Sequence, residues 1–158
     1  MMGSGKTVVG KKLAKKINFS FIDTDKLIEN KIGKPINKIF EEDGEEHFRE
    51  LEEQVIISIL NKKNYVISLG GGAIINNNIR RSIEIKSFNI YLEVEIKTLT
   101  KRLENSKNRP LIQNKNIKKI LGELIKKRKK FYQKADLIIK NNLNLNLNEL
   151  INNIIQKL

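Results

Sequence analysis

The chain has 158 residues, of which 39% are apolar and 31% charged. That is one domain's worth of chain, apolar enough for a modest single core and too apolar for a disordered segment. No apolar run approaches the ~18 residues that cross a bilayer. The N-terminus lacks the apolar stretch of a secretion signal. There is no cysteine, which excludes disulfide scaffolds, thiolate metal sites and cysteine nucleophiles, and the one histidine, His47, leaves little for zinc. A cytosolic setting with no membrane partner is expected. The net charge is +13, from 31 Lys and Arg against 18 acidic residues. Such a charge attracts polyanions. However, the basic residues are mostly Lys in a chain crowded with Asn and Ile, all residues of AT-rich codons. The charge is also spread out, apart from the run at 126–130.

The elements alternate helix and strand. A helix is expected from Thr7 to Ile17, directly behind a Gly-rich loop, then a short strand from Phe19 to Ile22 that ends at Asp23-Thr24-Asp25. Short helices follow at Lys26–Lys31 and Ile36–Glu42, split by Gly33 and Pro35. A longer helix over about Glu45–Leu60 places Phe48, Leu51, Val55 and Ile59 on one face. Tyr65–Leu69 reads as a strand stopped by Gly70-Gly71-Gly72. A short helix at Asn76–Ser82, a strand at Phe88–Val94 and a helix at Ile96–Glu104 come next. The polar stretch 105–115 reads as a mobile lid. Asn116–Ala135 is a long helix, Leu137–Ile139 a strand, and a last helix follows Asn148. The Asn/Leu alternation over 141–148 is locally low in complexity and reads as a loop. Strands separated by helical patterns predict an α/β fold, a parallel sheet covered on both faces, over one domain spanning 1–158.

Gly3-Ser4-Gly5-Lys6-Thr7 matches the end of the phosphate-binding motif G-x-x-x-x-G-K-[ST]. Its glycines let backbone N–H groups turn onto phosphate oxygens, and the following helix points its positive end at the same place. Lys6 would reach the outer phosphates of ATP, and the Thr7 hydroxyl would hold Mg²⁺. The first glycine of the motif would fall one place before Met1, and the strand that feeds such loops would lie upstream. Without it, two neighbouring strands would lack a partner. Two explanations are open, a start set inside the true reading frame or a poorly folded product; the first is the expectation.

The set Gly3-Ser4-Gly5-Lys6-Thr7, Asp23-Thr24-Asp25, Phe48-Arg49-Glu50-Leu51-Glu52, Gly70-Gly71-Gly72 and Arg109-Pro110-Leu111 resembles shikimate kinase in order and spacing, from Met1 to about Ile139. The resemblance implies a P-loop three-layer sandwich with a central parallel sheet. It also implies transfer of the ATP γ-phosphate to the 3-hydroxyl of shikimate, in aromatic amino-acid biosynthesis, with ATP and Mg²⁺ as cofactors. Asp25 follows a strand at the sheet edge where open α/β folds bind ligands. By resemblance it holds the attacking hydroxyl and accepts its proton, and Asp23 helps hold Mg²⁺ with Thr7. A helix N-cap before Lys26 is the competing explanation for this pair.

Arg49 is matched to binding of the shikimate carboxylate, for which an Arg fork is suited. Glu52, three residues later on the same helical face, can steady it; an ordinary surface ion pair is the alternative. Gly71 and Gly72 are matched to contact with shikimate, and Ser68 to the surroundings of Mg²⁺. Arg128 falls inside the apolar stripe Ile117, Ile120, Leu121, Leu124, Ile125, Phe131, Tyr132, where a charge needs a partner. The resemblance makes it the second carboxylate-binding Arg; a snorkelling side chain is the alternative. Arg109 matches the lid arginine that neutralises the transferred phosphoryl group, and Arg102 the residue beside adenine. No adenine contacts are carried over onto the Asn/Leu-rich segment. His47 has no role, and Lys129 and Lys130 are expected to be solvated. The small-molecule partner implied is shikimate, the chain acting as a monomer without nucleic acid, since aromatics are only 6% and no basic stripe interleaves with them. The rival readings are a P-loop kinase of another small hydroxy acid or sugar, and an inactive truncated binding module.

Overall fold

The computed structural model describes residues 1–104, 116–141 and 146–158. Its elements run α1 Lys6–Lys16, β1 Ser20–Asp23, α2 Thr24–Ile32, α3 Ile36–Glu42, α4 Gly44–Ile59, β2 Tyr65–Ser68, α5 Asn77–Lys86, β3 Ile90–Glu93, α6 Ile96–Leu103, α7 Ile117–Tyr132, β4 Leu137–Lys140 and α8 Leu147–Ile155. Each element expected from the sequence is present. The bounds shift where local chemistry overrides the pattern. α5 continues past Ser82 because Ile83 repeats the buried position of Ile79 one turn on. α7 stops at Tyr132, short of Ala135, where Lys134 and Ala135 turn back onto the carbonyls of Phe131 and Tyr132. A single 3₁₀ turn, Ala73–Ile75, was not foreseen; it follows the three glycines.

β1 pairs in parallel with β2, which sets Asp23 opposite Ser68, and β3 pairs in parallel with β4. Among the described residues these are two parallel pairs, with no ladder joining β2 to β3. Side chains join them instead. Val66 of β2 and Leu92 of β3 meet in one apolar cluster with Val9 and Leu13 of α1 and Leu150, Ile151 and Ile154 of α8. Ile67 points the other way, into a cluster with Ile56 and Leu60 of the α4 end and Ile79 and Ile83 of α5. Alternate residues of β2 therefore face opposite helical layers, which is why this strand is apolar at consecutive positions. The result is the three-layer α/β arrangement expected from the sequence.

Two further clusters flank these layers. Ile28, Ile39, Phe48 and Val55 bind α2, α3 and α4 to one another. Leu99 and Leu103 of α6 and Leu121 of α7 pack with Val94, Met1 and Met2. No helix among the described residues is long and apolar enough to cross a membrane.

α1 approaches the strands closely because Gly10 is buried on its inner face. A Cβ there would lie 2.6 Å from Cε2 of Phe21 on β1. Gly10→Val should overpack this contact and lower stability by about 1–3 kcal/mol, read as a lower urea midpoint at unchanged slope. A midpoint equal to that of the parent chain would mean that the ring yields without cost and that this contact does not set the α1–strand distance.

Candidate active site

The phosphate loop is shaped by its glycines. Gly3 and Gly5 hold φ of +71° and +89°, a region that side chains disfavour. Gly5 is the N-cap of α1, so the loop runs straight into the positive end of that helix. Lys6 Nζ donates to the Met1 carbonyl at 2.7 Å, folding back across the loop. The buried Ser4 hydroxyl donates to the same carbonyl at 2.8 Å. The loop is also held from outside. Arg102 on α6 donates to the Gly3 carbonyl at 3.1 Å and to the Asn141 carbonyl at 3.3 Å. Asn141 Nδ2 in turn donates to the Ser4 carbonyl at 2.7 Å. These bonds tie down the carbonyls of Met1, Gly3 and Ser4.

Thr7 Oγ1 donates to Asp23 Oδ2 at 2.7 Å. A hydroxyl and a carboxylate beside a phosphate loop are hard oxygen donors, and they fit Mg²⁺. That ion keeps several waters and shares substrate phosphates in place of a dedicated protein cage. No group of three or more His, Cys, Asp or Glu side chains that could hold a metal ion is found among the described residues. Ser68, buried, lies opposite Asp23 in the strand register.

Asp23 also caps α2, its carboxylate accepting from the N–H groups of Asp25 and Lys26. The cap that the sequence left open between two aspartates therefore belongs to Asp23. Asp25 stands one position inside the helix, in its first turn. Thr24, between them, is fully buried. Its hydroxyl donates to the Ser68 carbonyl at 3.2 Å and accepts from Gly70 N–H at 3.0 Å. It thus fastens the end of β1 to the glycine turn that ends β2.

That turn is the most crowded place in the site. A Cβ at Gly70 would collide with Glu52 Oε1 and come within 2.8 Å of Asp25 Oδ1. A Cβ at Gly72 would sit 2.5–2.7 Å from the Arg49 guanidinium. Arg49 is gripped along α4, donating to Glu52 Oε2 at 2.6 Å and to Glu45 Oε1 at 3.0 Å. Its guanidinium carbon also lies 5.2 Å from the Phe48 ring centroid. Burial works to lower the Arg49 pKa, but the charges of Glu52 and Glu45 outweigh it and the net shift is upward. Glu52 is 1% exposed. Burial pushes its carboxyl above the usual range, against the downward pull of Arg49. The surface ion pair considered at Arg49 is thus half of a buried one.

Arg128 is 3% exposed, inside the apolar stripe of α7. Its Nη1 donates to the Gly71 carbonyl at 3.0 Å, and Tyr132 Oη donates to the same carbonyl at 2.6 Å. It does not snorkel. Among the described residues two buried side-chain polar atoms take no hydrogen bond: Glu52 Oε1 and Arg128 Nε. Leaving such atoms unpaired costs about 1–3 kcal/mol each, and both line this turn. A polar ligand there would offset that cost.

The sequence-derived residues therefore fall into two adjoining groups. Lys6, Thr7 and Asp23 stand at the phosphate loop with Gly3, Ser4 and Gly5. Asp25, Arg49, Gly71, Gly72 and Arg128 gather at the glycine turn. The end of β1, from Asp23 to Asp25, belongs to both. Arg102 grips the loop from outside. The lid expected at about 105–115, with Arg109, lies outside the described residues. His47 is exposed, as are Lys129 and Lys130. Residues with site contacts that escaped the sequence reading include Thr24, Asn141 and Tyr132. Thr24 stood between two more reactive residues, Asn141 opened an Asn-rich stretch, and Tyr132 matched the apolar stripe.

Comparison with known proteins shows the family. The shikimate kinase family model matches residues 2–158. A shikimate kinase of Caldanaerobacter subterraneus subsp. tengcongensis is 39% identical over 138 residues, covering 87% of this chain and 81% of its own. One from Persephonella marina is 44% identical over 138 residues, covering 87% and 83%. Among solved structures, shikimate kinase from Acinetobacter baumannii in complex with shikimate superposes with a TM-score of 0.93 at 35% identity, covering 98% of this chain and 87% of that one. The Aquifex aeolicus enzyme gives a TM-score of 0.85 at 31% identity, covering 99% and 91%. The phosphate loop, the paired aspartates and the arginine-lined glycine turn are thus those of a chain that belongs to the shikimate kinase family.

Proposed function

We propose that this chain transfers the γ-phosphate of ATP to the 3-hydroxyl of shikimate, giving shikimate 3-phosphate and ADP. The observation that carries the reading is the gathering of Asp25, Arg49 and Arg128 around a glycine turn that adjoins a phosphate loop. Two arginines suit a carboxylate, the glycines admit a ring close to the backbone, and Asp25 supplies a proton acceptor beside the phosphates.

In this proposal Arg49, held by Glu45 and Glu52, and Arg128, held at Gly71, bind the substrate carboxylate. Gly71 and Gly72 pack against its ring. Asp25 positions the 3-hydroxyl and accepts its proton as the new O–P bond forms and the bond between the γ-phosphorus and the β,γ-bridging oxygen breaks, ADP leaving. Phosphoryl transfer depends mainly on placement and charge neutralisation. Lys6 and Arg109 meet the charge on the transferred group, and Gly3, Ser4 and Gly5 cradle the phosphates. Arg102 lies on the nucleotide side, where its guanidinium borders the loop. Thr7 and Asp23 are the residues that would hold Mg²⁺, which neutralises phosphate charge when bound. The chain is proposed to act as a single kinase domain over 1–158, a cytoplasmic monomer.

A coupled ADP-release assay with shikimate, ATP and Mg²⁺ tests the reading. Asp25→Asn should lower kcat by at least about 100-fold. Arg49→Ala should chiefly raise the shikimate KM, by about 10–100-fold for a lost charge-assisted bond. Kinetics near those of the parent chain in either variant would remove the role given to that residue.

A second prediction uses the crowding under Arg49. Gly72 has φ −93° and ψ −20°, which alanine adopts freely, so Gly72→Ala acts by its methyl group alone. The methyl displaces the guanidinium. The shikimate KM should rise about tenfold or more while the ATP KM and thermal midpoint stay close to parent values. A selective rise in the ATP KM would mean that the glycine turn faces the nucleotide instead.

A further inference from the structure

Three successive glycines have almost no conformational preference of their own. Whatever orients their peptide groups must come from outside the turn. Gly70 N–H is held by the Thr24 hydroxyl at 3.0 Å, and the Gly70 carbonyl accepts from Ala73 N–H at 3.2 Å. The Gly72 carbonyl accepts from Ile75 N–H at 2.9 Å. The middle peptide is held from a different helix: the Gly71 carbonyl accepts from Arg128 and Tyr132 of α7 together. A carbonyl oxygen has two lone pairs, so both donors can be served at once.

We infer that Tyr132 is a positioning residue for the substrate: with Arg128 it holds the Gly71 carbonyl and so sets the plane of the Gly71–Gly72 peptide. In a trans peptide the carbonyl of one residue and the N–H of the next point in opposite directions. Drawing the Gly71 carbonyl toward α7 turns the Gly72 N–H away from it. The Tyr132 hydroxyl also shares its acceptor with Arg128, four residues earlier on the same helix face, so it steadies the guanidinium that has a buried, unpartnered Nε.

The hydroxyl is the shorter of the two bonds, 2.6 Å against 3.0 Å. Its own direction is fixed by packing. The Tyr132 ring stacks on Tyr91 of β3 with centroids 4.8 Å apart and planes 10° from parallel, and it lies against the cluster formed by Leu99, Leu103 and Leu121. A ring needed only to fill this space would carry no hydroxyl into the glycine turn. The adjacent residue, Phe131, meets the far side of the same segment through Arg80 of α5. Arg80 donates to the Ile74 carbonyl at 2.9 Å, and its guanidinium lies 4.1 Å from the Phe131 ring centroid. The last turn of α7 thus engages both ends of the 71–75 segment.

The inference rests on the substrate placement proposed above, and the experiment separates the two. Tyr132→Phe keeps the ring and the stack on Tyr91 and removes the hydroxyl alone. In the full chain it should raise the shikimate KM and the calorimetric Kd for shikimate by about tenfold, the worth of one net hydrogen bond. The ATP KM should stay within about twofold of the parent and kcat should fall less than the KM rises. Tyr132→Leu, which removes the ring as well, serves as the packing control. A parental shikimate KM in Tyr132→Phe, with a lowered thermal midpoint in Tyr132→Leu, would make Tyr132 a packing residue and overturn the inference while leaving the kinase reading intact. Equal rises in the ATP and shikimate KM would overturn it too. No shikimate-dependent ADP release from the parent chain would overturn the kinase reading and this inference with it.

Discussion

The packing of charged groups onto a turn that has no side chains governs the site. Gly70 lies under the carboxylates of Glu52 and Asp25, and Gly72 lies under the Arg49 guanidinium. A methyl group at either position would push those side-chain ends aside. The charges can come this close to the backbone because α4 and α2 deliver them from above the end of β2, and Thr24 ties those strand ends together. The close approach serves the ligand as well. A ligand at this turn meets the carboxylates of Asp25 and Glu52 and the Arg49 guanidinium at contact distance.

The electrostatic balance of this turn also points outward. Arg49, Glu52 and Arg128 are removed from water to different degrees, and of the two arginines it is Arg49 that hydrogen-bonds the glutamates Glu45 and Glu52. Among the described residues Glu52 bonds Arg49 through Oε2 and leaves Oε1 without a hydrogen bond, while Arg128 donates to the neutral Gly71 carbonyl and leaves Nε without one. A buried cation without a carboxylate partner is costly. In the proposed reading the substrate carboxylate supplies that partner, and the cost of the two unpaired atoms favours an acidic substrate. The overall charge of +13 plays a smaller part. It is dispersed over the surface and screened within about a Debye length, whereas these groups act at contact distance.

How much of this the sequence disclosed depends on whether a residue's role is local. The phosphate loop was legible because its glycines, lysine and threonine act through the backbone that immediately follows them. Arg128 was legible because a charge inside an apolar stripe breaks a period, and it proved to be 3% exposed. The Asp23-Thr24-Asp25 cluster was legible as a site but not in its division of labour. Which aspartate caps α2 depends on where the strand ends, to the residue. Thr24 and Asn141 were silent because each acts on a chain segment far away in sequence, with partners at Gly70 and Ser4. Tyr132 was hidden by its conformity: tyrosine satisfies an apolar period with its ring, and the period says nothing of where its hydroxyl ends. The sequence leaves two neighbouring strands without a partner, and the described residues form two separate pairs; that β1 pairs with β2 and β3 with β4 could not be read from the apolar runs, since such a run fixes burial and not ladder partners.

The two halves of the site are joined by more than the end of β1. α6 and α7 pack on each other through Leu99, Leu103 and Leu121. α6 carries Arg102, which holds the phosphate loop at Gly3, and α7 carries Arg128 and Tyr132, which hold the glycine turn at Gly71. The loop and the turn are thus gripped by neighbouring helices that share one apolar seam. The segment between those helices, 105–115, holds Arg109. A change in the α6–α7 seam would move both grips together, whereas a change at β1 would act through Asp23, Thr24 and Asp25. The fold therefore fixes the spacing of the phosphate loop and the glycine turn twice, once through the end of β1 and the start of α2, which carry Asp23 and Asp25, and once through the helix pair that carries Arg102 and Arg128. For a reaction whose barrier depends on alignment, this doubled constraint is the most direct contribution the scaffold can make.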